Sequence, residues 1–323
     1  MTAQALQRIS PALFEDIAAP IPPGFTLESG DVLPDTHIRL RRFGDRGAPQ
    51  VLALGGISAG KDVCGPTGWW RETIADHAAI DSERFGIIGV DFAPTGNHRL
   101  RLSPRDQARL ILVALDRLRV PKLHAFVGAS YGGLVALALG VLAPDRVERL
   151  CVISAAHRPW AQALAWRGVQ RRIVNFGIES GDAAGGLSLA RQLAMITYRS
   201  AAEFDERFGT GVDEDGRGAV DRYLESRGEA YANIAAPRRW LTLSESIDRA
   251  LVDPAEIKVA TTLAACVDDQ LAPIELMREL AGRLPRLRGL HTFPSIYGHD
   301  AFLKEPARIA QIIKTCLEAP IHD

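Results

Sequence analysis

Leu123-His124-Ala125-Phe126-Val127-Gly128-Ala129-Ser130-Tyr131-Gly132-Gly133-Leu134 reads in three pieces. Leu123–Val127 is a short apolar strand. Gly128–Gly133 is a turn of small residues with one serine at its centre. Leu134–Ala143 is an apolar helix that stops at Pro144. A G-x-S-x-G pattern alone is common, but one that follows a buried strand and opens a helix is specific. Such a turn holds its serine in a strained backbone conformation, so only small residues fit two positions to either side. Gly128, Gly132 and Gly133 meet that need. The helix start then offers its free N–H groups and positive dipole end to a developing oxyanion. Ser130 is therefore the candidate nucleophile.

The same rhythm extends outward. Val51–Leu54 is an apolar strand running into Gly55-Gly56, and Arg84–Phe92 is another. Ser103-Pro104-Arg105-Asp106 opens a helix to about Leu118, with a Ser cap, Pro in the first turn and an acid three residues after the cap. Arg149–Ser154 is the next strand. Near-continuous apolar strands alternating with helices predict a mostly parallel sheet covered on both faces. The pattern changes between residues 155 and 253, where helices are expected over Trp160–Val174, Leu187–Tyr198, Ala219–Ala235 and Arg238–Asp248. Strands return at Val259–Val267 and Gly289–Phe293, with helices from Pro273 and over Lys304–Leu317. The expected architecture is an α/β-hydrolase fold, with residues 1–154 and 254–323 as core and 155–253 as an inserted helical cap. The Pro-rich first 30 or so residues read as an arm on the surface.

Serine is a poor nucleophile without a base oriented by an acid. In this fold the chain order is Ser, acid, His. The acid should follow the strand Val259–Val267, where Asp268 and Asp269 both stand, and His299 follows the next strand. His124 and His291 lie within predicted strands. His98 and His157 precede the acid, and His37, His77 and His322 read as surface residues. A second oxyanion donor is expected from the Gly55-Gly56-Ile57 turn, beside the Tyr131 N–H.

Composition narrows the alternatives. The chain has 323 residues, 47% of them hydrophobic, and a formal net charge of -1, which argues against a nucleic-acid footprint. The four cysteines, Cys64, Cys151, Cys266 and Cys316, have neither disulfide-framework nor zinc spacing, so reduced buried thiols and no metal are expected. The N-terminus lacks the order of a secretory leader. No apolar run approaches the roughly 20 residues that span a bilayer. A cytoplasmic enzyme is the expectation.

Several segments resemble the homoserine O-acyltransferases of the α/β-hydrolase superfamily. They are Gly186-Leu187-Ser188-Leu189-Ala190-Arg191, Met195-Ile196-Thr197-Tyr198-Arg199-Ser200, Glu203-Phe204 with Arg207-Phe208, Tyr223–Gly228, Trp240–Leu243 and Gly298-His299-Asp300-Ala301-Phe302-Leu303. The resemblance covers nearly everything after about residue 40. It implies Asp269, in Asp269-Gln270-Leu271-Ala272-Pro273, as the triad acid. It implies Arg191 for the carboxylate of the amino-acid substrate and Asp300 for its ammonium. The plain alternatives are a salt bridge within the cap and a helix cap. It further implies acyl-CoA as co-substrate, no tightly bound cofactor, L-homoserine as acceptor, a role in methionine synthesis and a homodimer formed through the cap.

Some features depart from the family pattern. The early loop is Leu54-Gly55-Gly56-Ile57-Ser58-Ala59, Tyr131 stands where many members have Met or Leu, and the insertion before Gly186 is short. These resemble a compact branch associated with succinyl rather than acetyl transfer. Rival expectations are transfer to serine and simple ester hydrolysis. The loop Lys61–Arg71, with Cys64, Trp69 and Trp70, either borders the acyl pocket or packs.

Overall fold

A computed structural model describes residues 14–74 and 78–320. The start of the predicted arm, His77 and His322 lie outside the described residues. Among the described residues eight strands form one sheet: β1 (Phe14–Pro20), β2 (His37–Phe43), β3 (Gln50–Leu54), β4 (Gly86–Val90), β5 (Ala125–Ala129), β6 (Arg149–Ile153), β7 (Ala260–Cys266) and β8 (Leu287–Phe293). Their order across the sheet is β1-β2-β4-β3-β5-β6-β7-β8. β3 to β8 run parallel, while β2 is antiparallel to both β1 and β4.

The helices are α1 (Pro104–Arg117), α2 (Tyr131–Leu142), α3 (Ala161–Glu179), α4 (Ala183–Tyr198), α5 (Ala201–Phe208), α6 (Ala219–Ala232), α7 (Pro237–Asp248), α8 (Ile274–Arg283), α9 (Ala301–Lys304) and α10 (Pro306–Glu318). Five of them, α3 to α7, lie between β6 and β7, where the sequence predicts the inserted segment.

Side-chain alternation divides the core. Leu52 and Leu54 of β3, Phe126 of β5 and Val152 of β6 join the apolar cluster under α1, α2 and α8. Val51, Ala53, Val127 and Cys151 point the other way, into the cluster that α10 covers. Strands buried on both faces must be apolar throughout, and β3 to β7 are fully buried. A third cluster, Val174, Leu187, Ala190, Trp240 and Leu241, holds the inserted helices together. All four cysteines are buried.

One expectation is corrected. Part of the N-terminal arm, Phe14–Pro20, is an edge strand paired along its whole length with His37–Phe43. Arg41 forks across the pair onto Asp16, with both bonds at 2.8 Å. Ile38 and Leu40 turn into the core. The hydrophobic content of β2 is split by arginines, which hides a half-buried strand. Helix boundaries also shift. α2 begins at Tyr131 rather than Leu134, α3 runs past Val174 to Glu179, and the predicted Lys304–Leu317 helix divides into α9 and α10 at Pro306.

Candidate active site

The site lies beyond the carboxyl ends of the parallel strands, where a doubly covered sheet leaves its crevice. Ser130 follows β5 directly and its backbone sits at φ 53°, ψ −120°, a conformation costly for a residue with a Cβ. The neighbours explain how it is held. A Cβ on Gly128 would lie 2.3 Å from the Gly132 carbonyl oxygen, and one on Gly132 would lie 2.4 Å from that of Leu54. The Gly132 N–H donates to the Gly55 carbonyl at 2.9 Å, and the Ser130 N–H to that of Ile153 at 2.9 Å. The elbow is thus tied to both flanking strands.

His299 comes from the turn after β8. Its Nε2 is 2.8 Å from Ser130 Oγ and its Nδ1 is 2.8 Å from Asp269 Oδ2. Asp269 is 3% exposed, and its other oxygen accepts the N–H groups of Leu271 at 2.8 Å and Ala272 at 2.9 Å. Asp268 is exposed and accepts the Ser295 N–H at 3.0 Å. The structure therefore brings Ser130, His299 and Asp269 into one hydrogen-bonded chain and leaves Asp268 out of it. Burial opposes a charge on His299. The Asp269 carboxylate, by charge and by hydrogen bond, outweighs this with help from Asp300, so the imidazole pKa stands above its usual 6.5.

The other histidines sit elsewhere. His124 stacks on Phe85 and approaches Glu148 at 3.1 Å. His157 meets Glu279 at 3.1 Å.

The Tyr131 N–H, at the start of α2, has no acceptor among the described residues, and neither do those of Gly56 and Ile57. A Cβ on Gly56 would stand 3.9 Å from Ser130 Oγ, so this backbone borders the reacting atom. Gly55 gives its carbonyl to Gly132 and packs its α-carbon against the Trp69 ring, where a Cβ would lie 2.8 Å away. The Tyr131 side chain turns inward. Its ring meets Phe92 edge-on at 4.8 Å, and its hydroxyl lies 2.6 Å from Ser246 Oγ of α7. Burial pushes the phenol pKa up, so it stays neutral.

A cavity of about 260 Å³ opens above Ser130 and His299. The loop Lys61–Arg71 divides its roles: Trp69 lines the cavity, while Trp70 is 2% exposed and donates its indole N–H to the Phe302 carbonyl at 3.1 Å. The inserted helices form the far wall. Arg191 of α4 lines it, with its guanidinium over the rings of Tyr198 at 5.3 Å and Tyr231 at 4.8 Å. No carboxylate among the described residues lies within ion-pair distance of Arg191, so the alternative of a salt bridge within the cap is not what the structure has. Asp300 lines the same cavity. Its side chain makes no capping bond to α9. Instead Oδ2 accepts from Arg199 Nε at 3.2 Å, and Arg199 Nη1 donates to Glu203 at 2.5 Å.

Three contributors were not singled out as site residues from the sequence. Arg199 stands in a segment read only for its family likeness. Arg167 and Gln170 project from α3 into the cavity wall, in a stretch with no motif to mark them.

Comparison with known proteins agrees with this architecture. Residues 49–306 match the family profile described as alpha/beta hydrolase fold. The chain is 36% identical over 292 residues to a homoserine O-succinyltransferase of Xanthomonas campestris, covering 88% of this chain and 79% of that one. It is 31% identical over 345 residues to a homoserine O-acetyltransferase of Mycolicibacterium smegmatis, covering 91% and 90%. The crystal structure of homoserine O-acetyltransferase from Bacillus anthracis superposes with a TM-score of 0.86 over 97% of this chain and 99% of that one, at 15% identity, a likeness of fold. The chain belongs to the homoserine O-acyltransferase family, built on the α/β-hydrolase fold.

Proposed function

We propose that the chain moves an acyl group from an acyl-CoA thioester to the hydroxyl of L-homoserine through an acyl-enzyme on Ser130, with succinyl-CoA favoured over acetyl-CoA as donor. The observation that carries this reading is the hydrogen-bonded chain Asp269–His299–Ser130 at the floor of a cavity whose walls bear Arg191 and Asp300. His299 takes the Ser130 hydroxyl proton as Oγ attacks the thioester carbonyl carbon. The carbon–sulfur bond breaks and CoA leaves as its thiol with the proton from His299. The homoserine hydroxyl then gives its proton to His299 and attacks the ester. Ser130 departs and recovers that proton. The N–H groups of Tyr131 and of the Gly55–Gly56 turn serve the tetrahedral oxyanion.

Transfer to an amino acid must outrun water. A guanidinium fork suits the α-carboxylate and a carboxylate suits the ammonium, so Arg191 and Asp300 hold both ends of homoserine. Orientation of this kind is worth roughly 7–11 kcal/mol in favourable cases. The inserted helices keep the reaction drier and form the surface on which a second copy would dimerise. The setting is methionine synthesis in the cytoplasm. No described helix is long and apolar enough to cross a membrane.

Intact-mass spectrometry tests the reading. Protein mixed separately with succinyl-CoA and acetyl-CoA should gain one acyl mass, more rapidly with succinyl, on the peptide containing Ser130. L-Homoserine should discharge it faster than L-serine or water. Ser130→Ala should gain no mass, and its turnover should fall by about four orders of magnitude. Faster discharge by serine would move the acceptor, and discharge by water alone would make the protein an ester hydrolase.

A further inference from the structure

The cavity above Ser130 has a neighbour. A second cavity, of about 130 Å³, is lined by α2, the start of α1 and the connection that follows α7. The two share three lining residues, Leu134, Ala156 and Ala250. Two of these bring only a methyl group, so Leu134 is the one sizeable side chain between the cavities. Its place is tied to the nucleophile. Leu134 stands four residues after Ser130, on the same face of α2, and its N–H donates to the Ser130 carbonyl at 3.2 Å.

Beyond this partition the walls are mostly apolar, with Pro104, Leu137, Ala138, Val141 and Val252 among them. The charged groups there are paired and turned to solvent. Arg105 and Glu28 are exposed and 3.4 Å apart. Arg249 is exposed and lies 3.8 Å from Glu245. His157 is buried, and its Nε2 meets Glu279 at 3.1 Å. Burial lowers its pKa, so the ring adds no charge at neutral pH.

Such a space suits a saturated chain, whose burial is favourable in proportion to its apolar area. It offers little to homoserine, whose two charges would go unpaired in it. Arg191 and Asp300 line only the main cavity. In the acyl-enzyme the acyl carbon is bonded to Ser130 Oγ, so the acyl chain starts one helical turn from the partition.

We propose that Leu134 sets the upper length of the acyl group by closing the second cavity to the chain that starts on Ser130. The second cavity is a latent annex for acyl groups longer than the main cavity holds. This rests on the acyl-transfer reading above and names the residue that bounds the donor's length.

The test is an intact-mass time course with acetyl-CoA, succinyl-CoA and hexanoyl-CoA, the modified peptide being the one that contains Ser130. Hexanoylation of the wild type should run about 100-fold or more below acetylation. Leu134→Ala should raise the ratio of hexanoylation to acetylation by about 100-fold. Leu134→Val, a smaller truncation, should raise it by less, and thermal melts check that both variants fold. Val141 lines the second cavity and not the first, so Val141→Phe fills the annex alone. By itself it should leave the acetylation rate and the ratio unchanged. Combined with Leu134→Ala it should cancel most of the gain.

A wild type that takes hexanoyl as fast as acetyl would overturn the proposal. So would an unchanged ratio in folded Leu134→Ala and Leu134→Val. A gain that survives Val141→Phe would place the chain elsewhere and remove the annex. A wild type acylated by none of the three donors would refute acyl transfer itself, and the length limit would fall with it.

Discussion

In the proposed mechanism His299 sets the pH behaviour of the site. A base works only when unprotonated, and the pKa of this imidazole is raised above 6.5 because Asp269 and Asp300 outweigh the effect of burial. The acylation rate is therefore expected to climb along an acidic limb whose midpoint lies above 6.5. Stability carries the opposite sign. A raised folded-state pKa favours the protonated form, so this contribution is complete below the unfolded value near 6.5 and is lost as pH rises through the folded pKa. Asp269→Asn removes the main influence that raises the pKa and leaves burial in place. Its limb should move to lower pH while kcat falls by about 10⁴. Asp268→Asn removes only an exposed acceptor of the Ser295 N–H and should cost less than about tenfold. Matched pH–rate profiles of the two variants read both effects, and a reversed ranking would reassign the acid. Both aspartates follow the same strand, β7, so chain order alone left the choice open. The resemblance to Asp269-Gln270-Leu271-Ala272-Pro273 pointed to Asp269, and the two N–H groups that Asp269 accepts supply the physical reason.

The crossing of α3 and α4 governs where Arg167 and Arg191 stand. Gly177 and Gly186 meet there: a Cβ on Gly186 would lie 2.9 Å from the Gly177 Cα and 3.0 Å from the Ile173 carbonyl oxygen. Gly186→Val must push the helices apart, at about 1–3 kcal/mol. A lower Tm and slower transfer to homoserine are expected, while fluorophosphonate labelling of Ser130 continues because the elbow belongs to the sheet. Loss of labelling in step with transfer would show that the crossing supports the core as well. The same crossing explains a missed boundary. The expected helix ended at Val174, yet α3 continues to Glu179, with Gly177 as the small residue that α4 needs beside it. The strand β2 was hidden by Arg39, Arg41 and Arg42. The helix α5 was hidden by its length of 8 residues, although Ser200 caps it by accepting the Glu203 N–H at 3.2 Å. By contrast, Ser103 and Asp106 marked the start of α1 correctly, since both halves of the capping box form.

At the scale of the molecule, the sheet turns chain order into a site. Its parallel strands present their carboxyl ends to one crevice, so Ser130 after β5, Asp269 after β7 and His299 after β8 arrive there together. That arrangement was legible because apolar runs, the serine turn and the order of acid and histidine are all local patterns. The cavity wall was not, because Arg167 and Gln170 belong to an ordinary amphipathic helix and acquire meaning only when α3 lies over the crevice. The hydrogen bond between Ser130 and His299 joins residues 169 apart in sequence, and this separation has a consequence in time. A polypeptide grows from its N-terminus, so the serine and its elbow leave the ribosome long before the base exists. Until β8 has been made and seated beside β7, the hydroxyl lacks the His299 imidazole that accepts its proton in the proposed mechanism, and a serine without a base is a poor nucleophile. A ribosome-bound chain arrested after residue 286 should therefore resist fluorophosphonate, whereas the released protein should react. Labelling of the arrested chain would mean that another group deprotonates Ser130. The separation of nucleophile from base thus acts as a safety interval, arming the reactive residue only when the sheet that encloses it is nearly finished.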